Sequence, residues 1–224
     1  MVHKRKASAQ IRREGNALVK RGKMLIVGAG GGIGRAVRQE AERRGWRCVC
    51  TSHREGVAEH LIDCTDRDGL EQAFMRLFLA EGPFDAVAYC AGTCPVKPLS
   101  SLDGATLAET RFLNCDAFIL LVRQFSRPGA YATDGAMALA VSSVSAMEGW
   151  AGGTAYCASK GALSAACRAM DMELAAKKIR VQAIEPGHVL TEMFRKGAGR
   201  MGVPESAARS PESVAREMLE MIEG

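Results

Sequence analysis

Residues Met24–Gly34, MLIVGAGGGIG, decide the fold class of this chain. The first four, Met24–Val27, form a short apolar run that predicts a buried strand. Glycines occupy five of the next seven positions, and the stretch after them keeps apolar residues at helical spacing up to about Arg44. Glycines between a strand and a helix let the backbone approach a pyrophosphate closely, while the helix N-terminus supplies N–H donors. The stretch therefore predicts a phosphate-binding turn in an α/β fold.

A second stretch, Ser142–Lys160, carries the candidate chemistry. Tyr156 and Lys160 are four residues apart, so a helix that starts at Tyr156 places both side chains on one face. A phenol normally titrates near about 10, and a neighbouring ammonium is expected to lower that pKa. Ser143 follows the apolar run Ala136–Val141, which puts its hydroxyl at the carboxyl end of a strand, where open α/β sheets build their sites.

Ser143, Tyr156 and Lys160 together resemble the Ser, Tyr-x-x-x-Lys signature of the short-chain dehydrogenase/reductase family. The glycine turn is similar to that family's Gly-x-x-x-Gly-Ile-Gly. Ala91-Gly92 resembles the end of its Asn-Asn-Ala-Gly turn, and Pro186–Thr191 resembles its Pro-Gly-x-Val-x-Thr segment. These motifs agree with the family in both order and spacing.

The resemblance covers residues 24 to about 220 and departs from the family pattern at two turns. Val27 stands where the family has a threonine before the first glycine, so one turn-stabilising hydroxyl is missing. Tyr89 and Cys90 stand where the family has two asparagines, so side-chain hydrogen bonds near the adenosine are missing.

The fold that the resemblance implies is a Rossmann-like, doubly wound α/β fold. Its parallel sheet is expected in the order 3-2-1-4-5-6, with helices on both faces. Six strands are predicted, at Met24–Val27, Trp46–Thr51, His60–Cys64, Phe84–Cys90, Ala136–Val141 and Ile179–Ile184. Helices are predicted at 66–80, at 107–124 and from 156 to about 176, and a last one starts from a Ser210 cap. The family's seventh strand has no counterpart before Gly224, so a six-stranded sheet is expected.

Residues 24–224 are predicted to form one NAD(P)-binding catalytic domain with a short substrate lid at about 192–205. Residues 1–23 carry a local charge of +7 and are expected to form a flexible basic arm. A transit peptide, a start of translation at Met24 and an arm that packs on a partner subunit are the alternatives. The rest of the chain has a net charge of −2, which gives nucleic-acid binding no support.

The resemblance implies four catalytic residues. Tyr156 would be the general acid or base, and Lys160 would bind the nicotinamide ribose and lower the tyrosine pKa. Ser143 would hydrogen-bond the substrate oxygen, and Asn114 would anchor a proton-relay water. The residues implied in cofactor binding are Gly28, Gly32, Ile33, Gly34, Ser52, Arg54, Asp63, Cys90, Ala91, Gly92, Tyr156, Lys160, Pro186, Gly187, Val189 and Thr191.

The end of the second strand bears on the choice of cofactor. NAD-specific proteins carry an acidic residue there for the ribose hydroxyls, whereas this chain has Ser52-His53-Arg54. An arginine with a small hydroxyl residue suits a 2′-phosphate, so NADP is favoured over NAD. Gly31 argues the other way, because many NADP-preferring relatives carry a basic residue at its position.

The sequence thus predicts an NADP-dependent oxidoreductase that moves a hydride between nicotinamide and a carbonyl or secondary alcohol. The alternative is a non-catalytic dinucleotide-binding regulatory or scaffold protein, although such proteins commonly lose the tyrosine or the lysine. An isomerase or epimerase on the same fold is a third interpretation. The candidate wall residues are mostly apolar and favour a hydrophobic ketone: Cys94, Val96, Ser145, Met147, Trp150 and Val189.

Composition bounds the remaining classes. The 224 residues suffice for one domain, and 47% hydrophobic content supports a core. No apolar run has the length of a membrane span or a secretory signal. The eight cysteines form no Cys-x-x-Cys pair, so buried thiols in the cytoplasm are expected and a metal is not. A homodimer is expected through the two long helices, whose outer faces are predicted to expose Phe118, Leu121, Val122 and an alanine-rich stripe.

Overall fold

The computed structural model of the protein describes residues 22–132 and 134–224, and only the backbone of residues 198–201. The six strands are β1 (Lys23–Val27), β2 (Arg47–Ser52), β3 (His60–Leu61), β4 (Ala86–Tyr89), β5 (Ala136–Val141) and β6 (Ile179–Ile184). The α-helices are α1 (Gly32–Arg43), α2 (Leu70–Glu81), α3 (Gly104–Arg111), α4 (Ala117–Phe125), α5 (Thr154–Leu174), α6 (Glu192–Met201) and α7 (Pro211–Glu223). A π-helical turn, Phe112–Asp116, joins α3 to α4.

All six strands run parallel in one sheet, and the predicted order β3-β2-β1-β4-β5-β6 is confirmed. Leu25 of β1 lies opposite Val49 of β2 on one side and Val87 of β4 on the other. The strand order reverses between β1 and β4, and open α/β sheets form a crevice at such a point, outside the carboxyl ends of the strands. The turns that follow β1 and β4 therefore lie side by side.

Alternate residues of the central strands enter two separate cores, one on each face of the sheet. Leu25 and Val27 belong to the core that α2, α4 and α5 cover. Met24 and Ile26 belong to the core that α1 and α7 cover. Because both faces are covered, the central strands are continuous apolar runs, and this made their positions predictable from sequence.

β5 and β6 have the predicted bounds, whereas two other strands are shorter than predicted. β3 ends at Leu61, because Asp63 Oδ1 accepts the Thr65 N–H at 2.8 Å and the chain turns away from the sheet edge. β4 begins only at Ala86, and Phe84 forms an isolated bridge with Tyr131 instead of a ladder.

The helix predicted as continuous over 107–124 is interrupted. α3 begins at Gly104, because Asp103 Oδ1 caps it by accepting the Thr106 N–H at 2.7 Å. The π-helical turn follows and contains Asn114. Turns of this kind inside α-helices frequently occur at functional sites, so the interruption marks Asn114 as a position of interest.

The apolar face predicted on the outside of this helix is buried instead. Phe118, Leu121 and Val122 are at most 1% exposed and pack in the core. α4 packs against α2 as well as against the sheet, so it needs apolar residues on two sides. The alanine-rich stripe of α5 does lie at the surface, with Ala162 and Ala165 exposed.

The predicted basic arm lies outside the described residues except for its last two positions. Lys23 belongs to β1, and its ammonium pairs with the Glu81 carboxylate at 2.8 Å. Within residues 22–132 and 134–224, no helix is long and apolar enough to cross a membrane.

Candidate active site

A cavity of about 440 Å³ opens at the carboxyl edge of the sheet. Segments that follow β1, β4, β5 and β6 build its wall, together with α5 and α6. Most of the predicted site residues meet there: Ile33, Cys90, Ala91, Gly92, Ser143, Tyr156, Lys160, Pro186, Gly187, Val189 and Thr191. The others lie outside the wall: Gly28, Gly32, Gly34, Ser52, Arg54, Asp63 and Asn114.

Ser143 lies two residues after the end of β5, and it caps a short 3₁₀ turn, Val144–Ala146. Its Oγ accepts the backbone N–H of Ser145 at 3.1 Å, so its own proton is directed elsewhere. The Ser143 hydroxyl also interacts with the Tyr156 side chain in a way that lowers the tyrosine pKa. Ser143 and Tyr156 therefore both face the cavity.

Tyr156 departs from the predicted electrostatics. Burial raises the pKa of Tyr156 from 10.0 to about 12, and the neighbouring Ser143 hydroxyl opposes this only in part. Lys160 Nζ lies 5.7 Å from the centre of the tyrosine ring, and burial is the largest cause of the shift. The expected lowering of this pKa by the lysine is therefore wrong for this arrangement, because burial outweighs the favourable interactions.

Lys160 is itself buried, at 4% exposure. Its Nζ donates a hydrogen bond of 2.7 Å to the backbone carbonyl of Val141, the last residue of β5. Burial lowers the pKa of the lysine from 10.5 to about 8, while the nearby Cys94 thiol opposes the shift. The ammonium thus costs free energy at neutral pH unless an additional acceptor is bound.

Asn114 lies fully buried behind the cavity wall. Its Nδ2 donates to the carbonyl of Thr93 and to the Ser159 hydroxyl, both at 2.9 Å, and its Oδ1 accepts the Thr93 N–H at 2.8 Å. Both amide protons are thus taken by the protein, and a relay water can bind only to an oxygen of Asn114. The side chain fixes the segment after β4 against α5.

A chain of hydrogen bonds that sequence reasoning missed lies beneath the site. Ser164 donates to Glu185 Oε1 at 2.6 Å, which leaves its oxygen to accept a bond of 2.8 Å from Ser142. Ser142 Oγ also lies 3.2 Å from the carbonyl oxygen of Lys160. The chain joins the segments after β5 and β6 to α5. The i, i+4 spacing of Lys160 and Ser164 is the sequence signal that could have revealed it.

The glycine turn is closely packed, as a dinucleotide site requires. Gly28 has φ +82°, and a Cβ atom there would lie 2.7 Å from the Ala91 nitrogen. A Cβ at Gly32 would lie 2.7 Å from the methyl carbon of Thr191, and one at Gly34 would collide with the Gly28 carbonyl. These three glycines are fixed by contact, as the family motif implied.

The N-terminus of α1 is open to an anion. Gly31 occupies the cap position without a capping side chain, and the first turn has no acidic residue. Asp103, Thr191 and Ser210 cap α3, α6 and α7, whereas α2 and α5 also lack a capping side chain but do not follow the glycine turn. The first N–H groups of α1, with the helix dipole behind them, therefore fit a pyrophosphate.

Two guanidinium groups converge beside this turn. Arg54 Nη2 donates to the Gly30 carbonyl at 2.7 Å, and Arg35 Nη2 approaches the same oxygen at 3.4 Å. The buried Ser52 hydroxyl accepts the backbone N–H of Arg54 at 3.0 Å. Sequence reasoning missed Arg35, although a basic residue directly after Gly34 was a visible signal.

Asp63 is not brought to the cavity. The residue is exposed, and its Oδ1 accepts bonds from the Thr65 N–H and hydroxyl at 2.8 and 2.7 Å. These bonds lower the pKa of the carboxyl group. Its second carboxylate oxygen is the atom left for an adenine amino group.

The substrate end of the cavity differs in part from the predicted wall. Cys94, Ser145, Trp150 and Val189 line it, whereas Val96 and Met147 are not among its lining residues, and Met147 is 84% exposed. The polar residues added to the wall are Thr93, Glu148 and His188.

Comparison with known proteins gives consistent matches along the chain. The family described as short chain dehydrogenase matches residues 23–200. L-xylulose reductase of Bos taurus is 28% identical over 210 residues, which cover 88% of this chain and 80% of the relative. NAD-dependent glycerol dehydrogenase of Listeria innocua is 24% identical over 226 residues, 89% of each chain. A solved short chain dehydrogenase from Burkholderia cenocepacia in complex with NADP has a TM-score of 0.77 at 21% identity, covering 91% of this chain and 84% of that one.

Proposed function

This chain belongs to the short chain dehydrogenase family and is an oxidoreductase of CH–OH or C=O groups, and we propose that Ser143, Tyr156 and Lys160 are its catalytic residues. The observation that carries the proposal is the meeting of these three side chains in one cavity beside an uncapped helix N-terminus. A non-catalytic dinucleotide-binding protein would have no need to keep all three.

In the proposed reaction, each side chain acts on a defined atom. Tyr156 donates its proton to the carbonyl oxygen of the substrate, and Ser143 hydrogen-bonds that oxygen as negative charge develops. The Lys160 ammonium keeps two protons beyond the one given to Val141, and these serve the ribose hydroxyls. When bound, the nicotinamide supplies the hydride. A phenol of raised pKa stays protonated near neutral pH, which suits reduction.

We propose NADP rather than NAD as the cofactor. The pyrophosphate would lie at the N-terminus of α1, and Lys160 would hold the nicotinamide ribose. Arg54, Arg35 and the Ser52 hydroxyl surround one point beside the turn, where a 2′-phosphate would find two cations and a hydroxyl. The NADP in the Burkholderia relative agrees with this choice, whereas the glycerol dehydrogenase is NAD-dependent.

We propose a small hydroxylated carbonyl compound as the substrate. The related proteins are named for a ketose and for glycerol. Glu148 and His188 in the wall are suitable partners for hydroxyl groups. The hydrophobic ketone expected from sequence remains the alternative, because Met193, Phe194 and Val203 add apolar side chains to the wall.

Residues 192–205 act as a substrate lid, since Met193 and Phe194 of α6 and Val203 beyond it line the cavity. Eight free thiols suit a reducing compartment such as the cytoplasm.

The protein is a homodimer in this proposal. The exposed alanine stripe of α5 and Met172, at 82% exposure, support a contact between two copies. Light scattering that gives the mass of one chain, 23.9 kDa, would refute the dimer.

A panel of carbonyl compounds tests the function directly. The purified protein is mixed with NADPH or NADH and each carbonyl, and loss of reduced-nicotinamide absorbance is followed. We expect turnover of small hydroxyketones, faster with NADPH than with NADH. Cofactor binding by calorimetry without turnover of any carbonyl would favour the non-catalytic alternative.

A further inference from the structure

The 3₁₀ turn after β5 carries two hydroxyl groups that face the cavity, and the reaction described above uses only one of them. Ser143 Oγ accepts the Ser145 N–H at 3.1 Å. Ser145 Oγ in turn accepts the indole N–H of Trp150 at 3.2 Å. Each serine oxygen thus receives a proton from the protein, and each hydroxyl proton is left to be donated.

The Ser145 proton has no acceptor within residues 22–132 and 134–224, although Ser145 is only 8% exposed. The Ser143 hydroxyl, by comparison, interacts with Tyr156. A buried donor without a partner costs roughly 1–3 kcal/mol, so such a group in a cavity wall is satisfied by water or by a ligand. Ser145 therefore offers one hydrogen bond to whatever fills the cavity.

Trp150 holds this hydroxyl in a fixed orientation. One face of its indole rests against Gly153, where a Cβ atom would lie 2.4 Å from Cε2 of the ring. The ring centre also lies 6.4 Å from that of Tyr156. The packed ring fixes the direction of its N–H group, and the N–H group fixes the oxygen of Ser145.

We propose that Ser145 binds a second oxygen atom of the substrate, on the carbon next to the reacting carbonyl, and that Trp150 is its positioning residue. This rests on the proposed function, in which Ser143 and Tyr156 hold the reacting oxygen. Ser145 lies two residues further along the same turn and lines the same cavity. An α-hydroxyketone or a 1,2-diketone supplies both oxygens, and reduction of the hydroxyketone gives a vicinal diol. A simple ketone leaves the Ser145 proton without a partner.

Two ketones of equal chain length test the subsite, 3-hydroxy-2-butanone and 2-butanone. The readout is kcat/KM for 3-hydroxy-2-butanone divided by kcat/KM for 2-butanone. A general loss of activity lowers both values equally and leaves this ratio unchanged. Ser145→Ala should lower this ratio roughly tenfold, the worth of one neutral hydrogen bond. Trp150→Phe keeps the ring but loses the N–H group, so its ratio should fall between those of Ser145→Ala and the wild type.

Trp46→Phe is the matched control, because Trp46 is the chain's other tryptophan and its indole bonds to Glu223 instead of to a wall residue. Its ratio should equal that of the wild type. A wild-type ratio in Ser145→Ala, or an equal loss on both ketones, would overturn the subsite.

Binding without turnover separates this proposal from the proposed function. In the Trp46→Phe protein, Trp150 is the one tryptophan of the chain and reports on the cavity by its fluorescence. We expect 3-hydroxy-2-butanone to change this fluorescence at lower concentration than 2-butanone, and the difference to vanish when Ser145→Ala is added. Equal titrations would overturn the subsite, whereas absence of turnover in the wild type with any carbonyl would overturn the proposed function.

Discussion

The Nζ of Lys160 donates a hydrogen bond of 2.7 Å to the backbone carbonyl of Val141. This bond joins α5 to the carboxyl end of β5, two residues before Ser143. It also satisfies only one of three ammonium protons in a buried place, which is why the pKa of Lys160 falls to about 8. The buried ammonium therefore destabilises the protein until a ligand supplies further hydrogen-bond acceptors.

The cost of the buried ammonium predicts a dependence of stability on pH. Between about pH 8 and 10.5 the unfolded chain holds the Lys160 proton more tightly than the folded one, so this group's contribution to the free energy of unfolding rises with pH. Lys160→Met removes that contribution. Its stability advantage over the wild type should be largest below pH 8, on the order of 3 kcal/mol, and should shrink toward pH 10.5. Urea unfolding at several pH values measures it, and a difference that is constant with pH would contradict the assignment.

Tyr156→Phe removes only the hydroxyl of the proposed acid. Turnover should fall by roughly 10²–10⁴, the usual effect of a positioned acid or base, while cofactor affinity is retained. Steady-state kinetics and calorimetry measure the two quantities. Tyr131→Phe is the matched control, since Tyr131 packs against Phe125 instead of lining the cavity, and its turnover should match the wild type. Turnover of Tyr156→Phe close to that of the wild type would exclude Tyr156 as the acid.

Arg54→Asp should reverse or abolish the preference for NADPH. The change replaces a cation beside Ser52 with an anion, which repels a 2′-phosphate but can accept bonds from ribose hydroxyls. The ratio of NADH to NADPH dissociation constants should fall at least about tenfold by calorimetry. Arg216→Asp, at an exposed position on α7, should leave that ratio unchanged. The NADP assignment is wrong if the wild type binds both cofactors equally.

Ser164→Ala should reduce kcat roughly tenfold with little change in cofactor affinity. The substitution breaks the hydrogen-bond chain that joins Ser142 to Glu185. The segment that carries Ser143 is then held less firmly against α5, the helix that carries Tyr156. Ser164→Thr restores a hydroxyl and should recover most of kcat. If kcat, cofactor affinity and thermal stability fall together, the chain is structural only.

Thr51→Val should stabilise the protein by about 1 kcal/mol. Thr51 is fully buried, and its Oγ1 is a side-chain atom without a hydrogen-bond partner in the described part of the chain. Valine has nearly the same shape and leaves no polar atom unpaired. Denaturant unfolding measures the change, and a loss of stability would mean that a water or a ligand satisfies the hydroxyl.

The strands were predictable because buried parallel strands are continuous apolar runs. Their order was predictable because the spacing of these runs agrees with that of the short chain dehydrogenase family. The short edge strand and the start of α2 were not, because nearby backbone N–H groups donate to the Asp63 and Asp66 carboxylates there instead of forming regular structure. The π-helical turn at Asn114 has no periodic signal, since it adds a single residue to a helix.

The site was predictable as a set of residues but not as an electrostatic arrangement. Motif spacing brought Ser143, Tyr156 and Lys160 together correctly. The pKa of Tyr156 was mispredicted, because the degree of burial cannot be read from an i, i+4 spacing. The pairing of Ser145 with Trp150 depends on a loop conformation, which the four intervening residues do not reveal.

The order of strands in the sheet also has a kinetic consequence. β1 lies between β2 and β4, and Leu25 meets Val87 only after more than sixty intervening residues have been ordered. The cavity needs wall segments from Ile33 to Val203, so it cannot exist before nearly the whole sheet has assembled. Parallel sheets built from such distant pairings fold slowly, because the entropy cost of loop closure comes before the stabilising contacts between strands can form. Recovery of catalytic activity during refolding would therefore mark the final step of assembly.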